Sequence, residues 1–448
     1  MDRVPRPRSE AVLYAGSAAI ALLVVRYDSI PLMRDWGRVA AWTYAAGALL
    51  AAGLFVWGRW SARARVMLAA AVIVGAALAP MALQVAARQA EGRRFHAQSE
   101  LLIVEESARV LVAGDNPYAV SFDSGPLATW PPGTRSHVPY MPGSFAFGVP
   151  STLLDGWPGD GRVWLALAAA AALAAGLRRL GAEPSRAALA CAVLVALPLG
   201  ARSMTGGGAD VTVLALMLLS LVLARDRRPA AAGLAIGAAV AIKQLAWPLL
   251  PFLIVVARDG SGRPARGRMV ASASAVALPL VLPFVAWDLG AFVEDVVRFP
   301  LGLGDLPTQA GEATLGSWLS SGLGLSRVWV AVLLGLAVGA AGVAMLLRRP
   351  IRTAAGAAER AGLLTLLAVV LATAGRPGYL AYPLNLLVWS RLLLGERVGL
   401  SSGGERGDAV ADGDLGGPTG LDPGTGLRPP GADRRPPVRR RRLPAPLR

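Results

Sequence analysis

Apolar and polar positions alternate along this chain in long blocks, with neither the two-residue period of strands nor the narrow stripe of soluble amphipathic helices. Runs at Ala11–Val25, Val39–Gly58 and Val66–Ala87 reach or approach the roughly 20 residues that carry a helix across about 30 Å of hydrocarbon. Comparable runs follow at Val163–Leu177, Ala187–Gly200, Val211–Ala224, Ala230–Ile242, Leu245–Ala257, Met269–Trp287, Val328–Leu347, Ala361–Thr373 and Leu380–Leu394. The pattern predicts an all-α polytopic membrane protein of about eleven transmembrane helices over residues 1–394. From Gly395 the composition turns to Gly, Pro, Asp and Arg. Residues 395–448 are therefore expected to be a disordered cytoplasmic tail, able to touch anionic headgroups.

Arginines set the direction of the crossings. Arg3, Arg6 and Arg8, then Arg59, Arg63 and Arg65, Arg178, Arg179 and Arg186, Arg225, Arg227 and Arg228, and Arg348, Arg349 and Arg352 mark cytoplasmic turns. The amino terminus is then inside as an uncleaved first helix, although its basic start imitates a signal peptide. Two polar loops, 88–144 and 288–326, lie on the extracytoplasmic side. A full crossing at Phe145–Leu154 would reverse every later cluster, so that segment reads as short, re-entrant or interfacial.

Composition narrows the classes further. With 54% hydrophobic and 17% charged residues, and a mean hydropathy of +0.50, the chain is too apolar for an ordinary soluble domain. The net charge of +16 sits in loops and tail, which argues for membrane lipids as partner and against nucleic acid. Cys191 is the one cysteine, so no intramolecular disulfide forms. Zinc-protease and Walker motifs are absent from the sequence.

The long first loop holds both histidines, His96 and His137. A helix is expected from about Ala97 to Ala113, carrying Glu100, Glu105 and Glu106 among aliphatic residues. A carboxylate there stands at headgroup height, where it can take a proton from a hydroxyl; a solvated face is the bland alternative. The helix stops at Ala-Gly-Asp-Asn-Pro-Tyr, with Asp115, Asn116 and Tyr118 in the turn. His137, Tyr140 and Pro142 follow as the chain returns to the membrane and suit a sugar or phosphate. Lys243 is the single lysine beside 44 arginines, and with Gln244 it forms the tip of a short intramembrane hairpin. An ammonium there needs an anion or a polar cavity, which suggests a phosphate site, although a snorkelling helix-end lysine has the same sequence. The Gly-rich turn ending at Asp210 should face the same side, as should Arg298 in the second loop and Arg376 with Tyr379 at a later turn.

ARVLVAGDNPY, HVPYMP, GGGAD and GLAIGAAVAIKQLAWPLLP together resemble the GT-C membrane glycosyltransferases. Within them the chain is most similar to the polyprenyl-phosphate-mannose-dependent α-mannosyltransferases of glycosyltransferase family 87. The resemblance implies an enzyme that moves a sugar, mannose in that family, from a polyprenyl-phosphate donor to a lipid-linked or cell-wall glycan outside the cell, without metal or other cofactor. It also implies an acidic base in the first outer loop, usually Asp. No Asp occurs between Arg88 and Gly114, so the role falls to Glu100, with Glu105, Asp28 and Asp35 in reserve. Lys243, Arg298 and Arg376 become the donor-phosphate residues, and Asn116, Tyr118, His137, Tyr140, Asp210 and Gln244 the substrate-binding ones. A transporter or flippase and a non-catalytic scaffold subunit are the competing classes. Charges at the ends of runs rather than mid-run argue against the transporter.

Overall fold

The computed structural model describes residues 7–181, 184–308, 310–311 and 314–394, so the expected tail lies outside the described residues. Its helices are α1 (Pro7–Tyr27), α2 (Pro31–Val56), α3 (Ala62–Glu91), α4 (Ser99–Val112), α5 (Gly161–Leu180), α6 (Pro184–Ala196), α7 (Pro198–Gly206), α8 (Asp210–Arg225), α9 (Pro229–Ile242), α10 (Gln244–Val256), α11 (Arg266–Trp287), α12 (Arg327–Leu347), α13 (Ala354–Leu371) and α14 (Ala381–Leu394). Among the described residues β-structure is confined to two isolated bridges, Arg258 with Pro264 and Gly311 with Gly375.

Among the described residues seven helices are long and apolar enough to cross a membrane: α1, α2, α3, α5, α11, α12 and α13. The bent pair α6 and α7 makes an eighth if it is one span. This is a multi-pass membrane protein. The expected number of about eleven includes shorter helices such as α9, whose 14 residues rise only about 21 Å. Trp329, Leu333 and Leu336 on α12 are exposed as lipid-facing residues should be.

Prolines account for the irregular helices. Pro80 has no N–H to donate, and the turn before it, Val74–Leu78, widens to π geometry. Leu197 is pushed to an extended conformation by Pro198, which produces the 53° bend between α6 and α7.

Arginines tie several helix ends together. Arg225 at the end of α8 donates to the Arg179 carbonyl at the end of α5, and Arg360 in α13 donates to Met345 at the end of α12. Buried Arg65 pairs with Glu10 at the starts of α3 and α1. At the other end of α8 the two long loops join. The Val138 amide donates to Asp295 at 2.7 Å, His137 stacks on Phe299 at 4.1 Å, and Tyr118 packs among Phe145, Phe284 and Phe292. The segment expected to be short is so: one 3-10 turn at Pro142–Phe147 and one helical turn at Pro150–Leu153. It tucks against α4 so closely that a Cβ at Gly148 would collide with the Val104 carbonyl.

Candidate active site

The site is assembled from the ends of helices. Glu100 is the second residue of α4 and Asp210 the first of α8, so both carboxylates lie where the helix dipole favours negative charge. Gly207 ends α7 with φ +91°, a left-handed conformation that glycine adopts freely, and the chain turns at once into α8. The Gln98 amide bonds to the Gly206 carbonyl at 3.1 Å, and the Ala209 amide to Glu100 Oε1 at 3.0 Å, pinning the start of α4 to this turn.

Lys243 follows α9 in an extended conformation and points between the two acids. Its Nζ lies 2.7 Å from Asp210 Oδ1 and 3.0 Å from Glu100 Oε1. The Tyr382 hydroxyl, from the start of α14, donates to Asp210 Oδ1 at 2.8 Å, and Ser203 of α7 donates to Oδ2 at 3.1 Å. The desolvation cost of a buried lysine is thus offset by two carboxylates, themselves held by hydroxyls and an amide. Tyr140 is buried beside this group, with Arg376 and Tyr379 near enough to act on it electrically. Burial pushes the Tyr140 hydroxyl up, reinforced by the Glu100 charge and opposed by Arg376 and Lys243, so it stays a neutral donor. A small cavity of about 10 Å³, room for about one water, lies beside Glu100, lined also by Leu101, Ser144, Phe147 and Ala209.

The remaining candidates have other employment. Glu105 is bound by Arg88 at 2.6 Å, and Arg88 bridges on to Asp160 at 3.0 Å. Burial works to raise Asp160, but hydrogen bonds and charge from Arg162 and Arg88 outweigh it and hold the carboxyl at about 2. Asp28 pairs with Arg202 at 2.8 Å, Asp35 with Arg38 at 2.6 Å, and Glu106 with Arg109. Asp115 is exposed beyond the end of α4. Arg298 is half-exposed, bound to Glu294 at 2.6 Å. Asn116 caps its turn by accepting from the Tyr118 amide, while the Tyr118 hydroxyl donates to the Tyr140 carbonyl at 2.7 Å. Gln244 reaches the Val296 carbonyl at 3.4 Å, and His137 Nδ1 lies 3.2 Å from the Gly133 carbonyl. Asn116, Tyr118, His137 and Gln244 belong to the loop layer around Tyr140, and the hydrogen bonds just given for them go to neighbours other than Glu100, Asp210 and Lys243. Ser203 and Tyr382 had no distinguishing mark in the sequence, since a serine and a tyrosine near helix ends are ordinary residues until folding brings them to Asp210.

The model of glycosyltransferase family 87 matches residues 139–373, more than half of the chain. The chain belongs to glycosyltransferase family 87. The matched range holds Tyr140, Asp210 and Lys243, while Glu100 precedes it and Arg376 and Tyr382 follow it. No curated protein matches the chain. Among solved structures it is similar to ArnT from Cupriavidus metallidurans, a crystal structure bound to undecaprenyl phosphate, at 14% identity and a TM-score of 0.42. That similarity covers 68% of this chain and 60% of the other, so the chain spans about three fifths of ArnT's length.

Proposed function

We propose that this family 87 enzyme transfers a hexosyl group, mannose in our reading, from a polyprenyl-phosphate carrier to a lipid-linked or cell-wall glycan on the extracytoplasmic side. The observation that carries the reading is the Glu100–Lys243–Asp210 cluster at the loop-bearing ends of the helices, where a lipid-linked substrate enters from the bilayer. Glu100 is the carboxylate that lines the cavity. As base it accepts the proton of the acceptor hydroxyl while that oxygen bonds to the anomeric carbon. The carbon–oxygen bond to phosphate breaks on the opposite face, inverting the centre, and the bonding pair leaves with the phosphate. The Lys243 ammonium reaches Asp210 Oδ1 at 2.7 Å and Glu100 Oε1 and Oε2 at 3.0 and 3.3 Å, so its donors are shared among three carboxylate oxygens. Its positive charge, with the Arg376 guanidinium, serves the charge that gathers on the departing phosphate.

Glu100→Gln in purified protein should retain donor binding and lose transfer by at least about a hundredfold, within the range general-base catalysis supplies. Glu106→Gln, which breaks only a pair with Arg109, should keep near-normal turnover. Full turnover by Glu100→Gln would remove it from the base role. Failure of the wild-type protein to turn over any polyprenyl-phosphate hexose would favour a scaffold subunit instead.

A further inference from the structure

Arg162, the second residue of α5, is buried and uses its guanidinium in two directions. Nε and Nη2 form a fork on Asp160 at 2.8 and 2.7 Å, while Nη1 donates to two backbone carbonyls, His96 at 2.7 Å and Thr205 at 3.2 Å. Asp160 is itself fixed, since it caps α5 by accepting from the Arg162 amide and also takes Arg88 at 3.0 Å. The two carbonyls lie just ahead of the two acids of the candidate site. His96 stands four residues before Glu100, and Thr205 five before Asp210. The same two segments touch through the Gln98 amide and the Gly206 carbonyl, and the stem of Arg162 packs on the turn between α7 and α8. A Cβ at Gly207 would lie 3.0 Å from Arg162 Cγ and 2.8 Å from Leu101 Cβ. His96 has φ +56°, a left-handed conformation that a residue with a side chain keeps only when its surroundings hold it. Its ring nitrogens lie 2.8 Å from Gln84 Oε1 and 2.9 Å from Glu91 Oε2, and its carbonyl is the one that Arg162 grips.

We propose that Arg162 is a positioning residue for the reacting centre: by holding the His96 and Thr205 carbonyls on one guanidinium it sets the separation of Glu100 from Asp210, and so how Lys243 is shared between them. This rests on the transferase reading above. The hydrogen bonds of Arg162 go to Asp160 and to these two carbonyls, so it acts on the acids through the backbone ahead of them. Arginine suits the task by its shape. A planar fork keeps two N–H groups on Asp160 while a separate nitrogen spans both carbonyls, whereas a lysine concentrates its donors on one atom. A shift of the base relative to the phosphate cation slows transfer even where the donor still binds, because transfer needs its reacting groups aligned.

The test uses full-length protein in nanodiscs, in a Cys191→Ala background carrying Gln98→Cys and Gly206→Cys. These two positions are bonded through their backbones, and a Cβ at Gly206 falls against the Gln98 side chain, so the two thiols report whether the segments stay together. With Arg162 intact they should oxidise almost completely to a disulfide. Arg162→Met keeps a stem against Gly207 and leaves Asp160 paired with Arg88, yet should slow that oxidation at least about fivefold. In the reduced protein it should lower kcat at least about tenfold while affinity for undecaprenyl phosphate changes by less than about threefold. Closing the disulfide should return kcat to within about threefold of the same cysteine pair with Arg162 intact. Arg162→Lys preserves a cation beside Asp160 and should show the same split, which keeps the test decisive should the methionine variant not fold. Unchanged disulfide formation in both variants would overturn the proposal whether or not any donor is turned over. So would a disulfide that restores the melting temperature without restoring kcat, since Arg162 would then serve stability alone. Absence of turnover by wild type, with disulfide formation still dependent on Arg162, would strike the transferase reading and support the clamp.

Discussion

Nζ of Lys243 lies 3.0 Å from Oε1 of Glu100, a residue 143 positions earlier, so the protein's single lysine is also its lock between loop helix and membrane core. The sequence suggests a lysine waiting for phosphate. In the fold it is already shared by two carboxylates, and both roles must be served by one ammonium.

Lys243→Ala should therefore harm both folding and donor binding, because it leaves Glu100 and Asp210 facing each other without a cation. Breaking a buried pair costs about 3–5 kcal/mol. Lys243→Arg should recover most of the thermal stability yet transfer sugar at least about tenfold more slowly, since a planar fork does not replace a point charge between two acids. Melting temperatures and donor binding on the same preparations check this; an arginine variant with normal turnover would remove the point-charge argument.

Tyr382→Phe deletes one donor to Asp210 and leaves the ring in place. A hydrogen bond to a charged group contributes roughly 1.5–3 kcal/mol. We expect kcat/KM to fall by about tenfold or more, with Ser203 and Lys243 still holding the carboxylate. Steady-state kinetics with unchanged kcat/KM would mean that Asp210 needs no support from α14.

Burial raises the carboxyl of Asp295 from 3.8 to about 7, with the Val138 amide acting to lower it and Glu294 to raise it. The folded state thus holds this proton more tightly than the unfolded chain does. The associated stability is full below about pH 4, declines as pH rises, and is gone above about pH 7. Thermal unfolding of wild type should drop by several degrees between pH 5 and pH 8. Asp295→Asn keeps an acceptor for Val138 and should flatten that dependence; an unaltered pH profile would show that the loop joint does not titrate.

Sidedness follows from arginine placement and is open to direct labelling. In a Cys191→Ala background, cysteines at Thr129 and Thr308 should react with an impermeant maleimide from outside, and one at Gly356 should not. The reverse pattern would place the Lys243 cluster at the cytoplasmic face and defeat the proposed function.

Helicity, membrane crossing and the break at Lys243 were legible in the sequence because each is a local property. A run of apolar residues must satisfy its own backbone hydrogen bonds in lipid, and arginines bound it wherever it ends. Glu100, Asp210, Lys243, Tyr140 and Arg376 were each visible as polar residues at such ends. Their convergence was not, and neither was the division of labour on α4. Glu100 and Glu105 look alike in SELLIVEES, yet the helix turns one toward Lys243 and the other toward Arg88 and Asp160. Nothing in the sequence marked Tyr382 or Ser203, and the Arg88–Asp160–Arg162 network was equally silent. Tertiary structure decided these matters because a charge in a low-dielectric interior is stable only with a partner, and partners tens to hundreds of residues away are selected by packing rather than by spacing.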